Sequence, residues 1–308
     1  MHYMSVPGVG YGNTAATFAA PFLSKIMLNS KVTEINHKDP NNAIISFTKN
    51  GVVSKVAAKT VLVTTSLGVL KAGSITFTPR LPGWKQDTID NMGFGVINKC
   101  AMVWNDTEAV VWPDETWFEL ITPDDGTSGK WTTFLNPSRY KGFPTLVGWV
   151  GGQDARDIEA QTDDEILDDV MGNLQAMFPT IRRPDRVIIT RWGQEENVRG
   201  SYCFKTVGRD FSQDAWILGH SVGSLRFAGE ATAGSSWYAT TVGAWKTGEK
   251  AAQEMVDELS RRLTATPAAV TDVTSWISSS TTIVSAGTGI SGHIWYSAFL
   301  SFTLVYLL

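Results

Sequence analysis

Apolar and polar positions change rhythm several times along this chain, and each change predicts an element. Residues 14–22 (TAATFAAPF) carry a short helical pattern, and residues 26–35 (IMLNSKVTEI) read as a strand. Residues 43–48 and 52–57 flank Asn50-Gly51. Both positions of a two-residue hairpin turn need positive φ, which Asn and Gly adopt at least cost, so this stretch predicts a β-hairpin. Residues 61–64 form a short continuous apolar run, the pattern of a buried strand. Pro79 and Pro82 precede a helix over 85–92, and strands are predicted at 96–103, 117–121, 131–135, 146–150, 187–191 and 225–228. Thr162 with Glu165 makes a capping box. Ile166, Leu167, Val170, Met171, Leu174 and Met177 follow at helical spacing, and Pro179 ends the run. Residues 241–263 form a long amphipathic helix. Strands alternating with helices in this way predict an α/β (α+β) chain.

Composition narrows the chemistry. The 308 residues are 43% hydrophobic and 18% charged, enough apolar material for a substantial core spread over one large or two smaller domains. The 26 basic and 30 acidic residues leave no cationic excess for a phosphate backbone, so no nucleic-acid partner is expected. Cys100 and Cys203 are too few for a disulfide framework or a cysteine zinc site, and the four histidines are scattered, so no metal centre is expected either. Twelve tryptophans and 28 glycines point to aromatic-walled pockets and close backbone approach to a ligand.

The most informative window is residues 226–250, RFAGEATAGSSWYATTVGAWKTGEK. A short strand runs into Gly229-Glu230, a loop follows, and Thr240-Thr241 open a helix. A strand end beside a helix N-terminus offers unpaired amides to a partly negative group such as an anionic heterocycle or a phosphate. Three further blocks precede it in order: LNSKVTEI from Leu28, VLVTTSLGVLKAGSITFTPRLPGWK from Val61, and MGFGVINKCAMVW from Met92. RWGQEENVRGSY from Arg191 stands just upstream of the window. Together these blocks resemble the flavin-containing amine oxidases, the group that holds polyamine oxidases, monoamine oxidases and lysine-specific histone demethylases. The likeness covers roughly residues 8–263.

That resemblance implies a cofactor, FAD, and a set of roles. Val32 would meet its adenine end through the backbone. Thr64, Thr65 and Ser66 would line the flavin, with Ser66 standing where the family usually has proline. Trp192 would pack near the isoalloxazine, Gly229 and Glu230 would meet the ribityl–pyrophosphate stretch, and Thr241 would present its amide to the pyrimidine edge. Lys99 would be the catalytic residue, holding a water at flavin N5. Tyr202 and Thr240 would flank the substrate carbon. Thr240 stands where many relatives carry an aromatic residue, which widens the slot. The implied reaction is hydride transfer from an amine to the flavin, with dioxygen as the final oxidant and hydrogen peroxide as a product. A polyamine is the first expectation for the substrate. The cysteine that tethers flavin in monoamine oxidases aligns with Tyr202 rather than Cys203. One residue along a strand reverses the side chain, so the flavin is expected to be non-covalent.

The implied architecture is an incomplete Rossmann-like FAD-binding domain, residues 8–73 and 217–263, interleaved with a mixed-sheet substrate domain, residues 74–216. The chain resembles the C-terminal two-thirds of such an enzyme. The glycine-rich dinucleotide turn expected at the start is missing, and Gly8 to Gly12 lacks both its third spacing and a preceding strand. A truncated, fragmentary or inactive copy, a flavin-free binding protein, and another flavoprotein oxidoreductase of the same architecture are the competing readings. Residues 264–308 are a Ser/Thr-rich linker and a charge-free apolar end. One reading makes GTGISG at Gly287 to Gly292 a displaced dinucleotide turn. The other takes small residues at Ser278 and Ser280, a spacer and residues 294–308 as a membrane or lipid-anchor signal, and an extracellular, anchored location with it. As a helix, 15 residues span about 22 Å, short of the ~30 Å hydrocarbon core.

Overall fold

The predicted hairpin forms one side of a four-stranded sheet, with Val52–Ala58 at its edge. Ala43–Lys49 and Val52–Ala58 pair antiparallel from Ala43 opposite Ala58 to Lys49 opposite Val52. Asn50 (φ 50°) and Gly51 (φ 78°) close the turn in the left-handed region. Ser30–Asn36 adds to the other side of Ala43–Lys49, with a bulge between Val32 and Glu34, and Thr76–Thr78 runs parallel to it. The structure, a computed structural model, describes residues 10–122, 129–138, 144–264, 282–285 and 304–307. Gly8 and Val9, Ser278 and Ser280, Gly287 to Gly292 and residues 294–303 lie outside them.

The predicted strand over 26–35 is broken. Asn29 takes φ 55°, which turns the chain, so Ile26–Met27 and Ser30–Asn36 join different sheets. The sheet that receives Ile26–Met27 runs in the order Ile26–Met27, Thr282–Ser285, Leu304–Leu307, Val61–Val63, Leu225–Phe227. Val61–Val63 and Leu225–Phe227 are parallel, and so are Ile26–Met27 and Thr282–Ser285. Leu304–Leu307 is antiparallel to both of its neighbours. Val61–Val63 is at most 2% exposed, as an unbroken apolar run in an interior strand must be. Part of the apolar chain end thus enters the sheet. Among the described residues no helix is long and apolar enough to cross a membrane.

The chain divides into two compact units, Gly95–Glu195 and a second made of Gly10–Phe94 with Glu196–Leu308. These bounds differ from the domain limits read from the sequence. Ile75, Leu81, Ile89 and Met92, and later Cys203, Phe211, Ala215 and Leu218, share one core with Val32, Ile45, Val63 and Phe227. Segments 74–94 and 196–216 therefore pack with the strands that the sequence assigned to the other domain. Two helices in this unit were not predicted. Leu67–Lys71 is one short turn, and Phe211–Gly219 is started by Asp210, whose carboxylate accepts from the amides of Ser212 and Gln213.

In the unit Gly95–Glu195, five antiparallel strands run in the order Arg186–Ile189, Ile97–Val103, Thr145–Gly151, Thr133–Leu135, Trp117–Glu119. The helix Asp163–Met177 begins at the predicted capping box, with both reciprocal bonds present. Its buried face (Ile166, Leu167, Val170, Met171, Leu174) belongs to the same cluster as Cys100, Met102, Phe134 and Leu146 of the sheet. Burial pushes the Cys100 thiol up to about 12, as expected for a core residue with no exposed chemistry. Trp131 falls outside its predicted strand because its backbone turns into the left-handed region at φ 58°.

Candidate functional site

Ligands in open parallel sheets gather at the carboxyl ends of adjacent strands. Here Val61–Val63 and Leu225–Phe227 pair in register, Leu225 opposite Val61 and Phe227 opposite Val63, so both chains leave the sheet side by side. The first continues through Thr64, Thr65 and Ser66. Ser66 caps the Leu67–Lys71 helix by accepting from the Val69 amide at 3.1 Å, and it donates to the Val198 carbonyl at 2.5 Å. Gly68 follows with no room to spare, since a Cβ there would lie 2.6 Å from the Val198 carbonyl oxygen and 2.7 Å from that of Arg199. Thr65 is 6% exposed and its hydroxyl meets no hydrogen-bond partner. A buried orphan of this kind at a strand end marks a place where a ligand atom or a water belongs.

The second strand continues through Ala228, whose amide bonds the Val63 carbonyl at 3.1 Å, to Gly229 and Glu230. Gly229 takes φ 143°, a conformation reserved for glycine, and a Cβ there would meet open space. Glu230 turns inward. Its carboxylate accepts from the amides of Ala239 (2.8 Å) and Cys203 (3.2 Å) and from the Cys203 thiol (2.9 Å). Burial raises its pKa despite these donors. The carboxylate is thus a bracket for the loop that leads to the helix Thr241–Thr264. Thr240 caps that helix: its exposed hydroxyl accepts from the Gly243 amide at 3.0 Å and donates to the Trp237 carbonyl at 2.6 Å. The amides of Thr241 and Val242 meet no acceptor among the described residues, which leaves an unpaired, positive helix end.

Tyr202 and Cys203 occupy opposite faces of one short strand, Tyr202–Phe204. Tyr202 is half-buried and Cys203 is fully buried. Burial first, and then the Glu230 carboxylate, hold the Cys203 thiol protonated. Val32 is buried in the core beside these strands, in the four-stranded sheet.

Lys99 and Trp192 belong to the unit Gly95–Glu195. Lys99 lies in Ile97–Val103, a strand whose even positions are buried and whose odd positions are half-open. Its ammonium sits 4.3 Å from the centre of the Trp149 ring, and burial lowers its pKa. The backbone on either side is clamped by a buried polar network. Asn98 donates to the Glu159 carboxylate (2.8 Å) and the Ala155 carbonyl (2.9 Å), and its own oxygen accepts from the Trp192 amide (3.0 Å) and the Thr190 hydroxyl (3.1 Å). The Lys99 amide donates to that same Thr190 hydroxyl at 2.8 Å. Glu159 also accepts from the Gly193 amide at 2.7 Å, and a Cβ on Gly193 would lie 2.6 Å from that carboxylate. One network thus fixes both the Lys99 strand and the Trp192 turn. Sequence reasoning singled out Lys99 and Trp192 but missed Asn98 and Glu159, whose only signal was their polarity inside apolar runs.

The family model described as flavin containing amine oxidoreductase matches residues 4–256 of this chain. The chain belongs to the flavin-containing amine oxidoreductases. It is 34% identical over 229 residues to polyamine oxidase 4 of Oryza sativa subsp. japonica, covering 74% of this chain and 45% of that protein. It is 34% identical to polyamine oxidase 2 of Arabidopsis thaliana, over 74% of this chain and 44% of that protein. Lysine-specific histone demethylase 1 homolog 1 of Arabidopsis thaliana is 32% identical, over 83% of this chain and 30% of that protein. The chain therefore spans rather less than half the length of the polyamine oxidases it matches. Among solved structures, cyclohexylamine oxidase from Brevibacterium oxydans IH-35A superposes with a TM-score of 0.61 at 22% identity, over 78% of this chain and 51% of that one. A putrescine oxidase variant gives 0.63 at 18%, over 80% and 52%. At these identities the likeness establishes the amine-oxidase fold.

For a flavin-containing amine oxidoreductase, the residues at the two strand ends fit the cofactor. The Thr65 hydroxyl is buried and unsatisfied, the Gly229 side of the loop is open, and the helix amides at Thr241 and Val242 are unpaired. Of the residues singled out in the sequence, the structure gathers Thr64, Thr65, Ser66, Tyr202, Gly229, Glu230, Thr240 and Thr241 into one unit and places Lys99 and Trp192 in the other.

Proposed function

We propose that this protein is a FAD-dependent amine oxidase acting on polyamines. The observation that carries the proposal is the buried, unpartnered Thr65 hydroxyl just past the carboxyl end of Val61–Val63, which pairs in parallel with Leu225–Phe227. The Thr65 hydroxyl and the amides at the start of Thr241–Thr264 would hold the isoalloxazine edge through its carbonyl oxygens and ring nitrogens. Thr64 and Ser66 would line it, and Gly229 would allow close approach of the ribityl chain. Val32 would meet the adenine end through its backbone. FAD held there would supply the redox chemistry, accepting a hydride from the amine carbon and giving two electrons, with two protons, to dioxygen to form hydrogen peroxide.

The chain's own residues have the remaining tasks. Lys99, whose pKa burial lowers and whose backbone the Thr190 hydroxyl holds, would order a water beside the flavin. Tyr202 and Thr240 would border the amine carbon, and the Thr240 methyl leaves more width than an aromatic ring. Trp192, held by the Asn98 bond to its amide, would exclude water. Cys203 faces the core, so the flavin is held without a covalent bond. Residues 305–307 pair with Val61–Val63, beside the strand end that would receive the flavin.

The test is reconstitution with FAD followed by peroxide release from spermidine, with flavin reduction followed at its visible absorbance band. Turnover is expected. Lys99→Met should slow flavin reduction at least tenfold while FAD stays bound. Protein that takes up no flavin, or a Lys99→Met variant that reduces at the parent rate, overturns the respective part of the proposal.

A further inference from the structure

Lys99 and Trp149 stand opposite each other on two neighbouring antiparallel strands, Ile97–Val103 and Thr145–Gly151. The Lys99 backbone is fixed by Thr190, whose hydroxyl accepts from its amide at 2.8 Å and whose amide donates to its carbonyl at 3.0 Å. That leaves the end of a four-carbon stem to be placed. Among the described residues its ammonium meets no carboxylate and no hydrogen-bond acceptor, and it lies 4.3 Å from the centre of the Trp149 ring. The ring is itself fixed. Thr133 pairs with Trp149 on the other side, and the Trp117 ring packs against it, centres 6.1 Å apart and planes inclined by 57°. A Cβ on the neighbouring Gly148 would lie 3.1 Å from the Phe134 ring and 3.3 Å from Trp131, so the strand has little freedom to shift. The indole N–H of Trp149 is buried and meets no partner among the described residues. The polar edge of the ring therefore does not orient it, and what the ring offers Lys99 is its face.

We propose that Trp149 is a positioning residue for Lys99: its ring face, in place of a carboxylate, directs the ammonium and favours its protonated form. The contact rests on this sheet alone, and the task given to Lys99 rests on the amine-oxidase reading above. An aromatic face attracts a cation through its quadrupole, most strongly where water is excluded. The charged groups around the lysine are few. Thr145–Gly151 has no ionisable side chain, and Arg186–Ile189 has only Arg186, opposite Val103. Glu119 lies three strands along the same row, about 14 Å away at strand spacing. Gly152–Asp157 carries Asp154, Arg156 and Asp157, of which Asp154 shares a cavity lining with Trp149. Glu159 is turned to Asn98 and Gly193, and Arg191 pairs with Asp163. None of them moves the lysine, whose pKa is lowered by burial alone. The ring face opposes that burial. It also takes none of the three ammonium N–H donors, which a carboxylate would occupy, so they stay free for a water.

The test reads the Lys99 amine directly. The full chain and its Trp149→Met and Trp149→Phe variants are acylated with trace acetic anhydride across roughly pH 6 to 11, with and without added FAD, and the Lys99 peptide is quantified by mass spectrometry. Trp149→Met fills the space without an aromatic face, and it is expected to lower the midpoint of Lys99 acylation by about one pH unit. Trp149→Phe keeps a ring face without the N–H and should lower it by less than half as much. In the FAD-loaded proteins the pH profile of flavin reduction by spermidine should move with the midpoint, and kcat should fall more than KM rises. A midpoint unchanged or raised in Trp149→Met, or equally low in Trp149→Phe, overturns the proposal. If Trp149→Met does not fold, Trp149→Phe decides, and a midpoint at or above the parent's overturns it. A lowered midpoint with an unmoved pH profile of flavin reduction removes the positioning role. A lowered midpoint in protein that reduces no flavin keeps the hold of Trp149 on Lys99 and removes the oxidase reading.

Discussion

Lys85 is fully buried, and its removal should disturb the strand that delivers Gly229 and Glu230. Its ammonium donates to the carbonyls of Ile217 (3.0 Å), Leu218 (2.7 Å) and His220 (2.8 Å), at the end of the helix Phe211–Gly219, and lies 3.9 Å from the centre of the Phe227 ring. One side chain thus ties the helix Gly83–Asn91 to a helix C-terminus and to the strand Leu225–Phe227. In Lys85→Met the volume is kept, and the Ile217 carbonyl still accepts from the His220 amide. The Leu218 and His220 carbonyls lose the ammonium, at about 1–3 kcal/mol each. No longer having to bury a cation offsets part of that. A net loss of about 3 kcal/mol at neutral pH follows, or roughly 6–12 °C in Tm. The pH dependence is a second signature. Burial pulls the Lys85 pKa from 10.5 down to about 7. Between those two values the unfolded chain holds a proton that the folded one does not, so stability rises with pH. The gain is about 1.4 kcal/mol per pH unit, and below pH 7 it is absent. Urea unfolding of parent and variant at several pH values, subtracted one from the other, isolates this slope from the tyrosines and other lysines. A variant as stable as the parent, or a flat difference across pH 7 to 10, refutes the reasoning.

Glu230→Gln should destabilise the helix-start loop by about 2 kcal/mol, because an amide nitrogen must face one of the donor N–H groups of Cys203 or Ala239. Faster flavin loss on gel filtration checks it. Acid precipitation of the FAD-loaded protein should leave the yellow colour in the supernatant, since Cys203 is buried against Glu230; a coloured pellet would show a covalent bond. A chain ending at Thr264 loses the strands Thr282–Ser285 and Leu304–Leu307, which leaves Ile26–Met27 and Val61–Val63 without those neighbours. Losing several ladder bonds at about 1 kcal/mol each should lower Tm and promote association through the bared edges, both measurable by thermal melting and light scattering.

What the sequence made legible was local. Asn50-Gly51 announced its hairpin because only a few residue types tolerate two successive left-handed positions, and Thr162 with Glu165 announced its helix because the cap is written in four consecutive residues. The strand ends at Thr65 and Gly229 were found through ordered blocks rather than periodicity. What stayed hidden was tertiary. Segments 74–94 and 196–216 look no different in composition from their neighbours, yet Ile89, Met92 and Phe211 pack under the flavin-side strands. Lys85 reads as a surface lysine until three carbonyls from residues 217–220 surround it. The Asn98–Glu159 bond joins positions 61 residues apart. The abundance of tryptophan suggested aromatic walls without saying which rings would meet.

The inward turn of Glu230 changes what this loop can do. A carboxylate aimed outward at a strand end would repel phosphate oxygens. Here the same group spends its acceptors on Ala239 and Cys203, which removes its charge from the open side. The amides at Thr241 and Val242 then add positive potential to a loop whose Trp237 and Tyr238 rings already carry the Lys246 and Lys205 ammoniums, at 4.8 and 5.6 Å. Thr240 contributes to the same result: by capping Gly243 it stops the helix from unwinding and keeps those two amides aligned. Gly243 is required for this arrangement, because a Cβ there would lie 2.1 Å from the Trp237 carbonyl oxygen. The loop, its bracket and its cap thus act together to hold two donors outward, and a substitution at Glu230, Thr240 or Gly243 should be felt first as weaker cofactor binding and only then as lost stability.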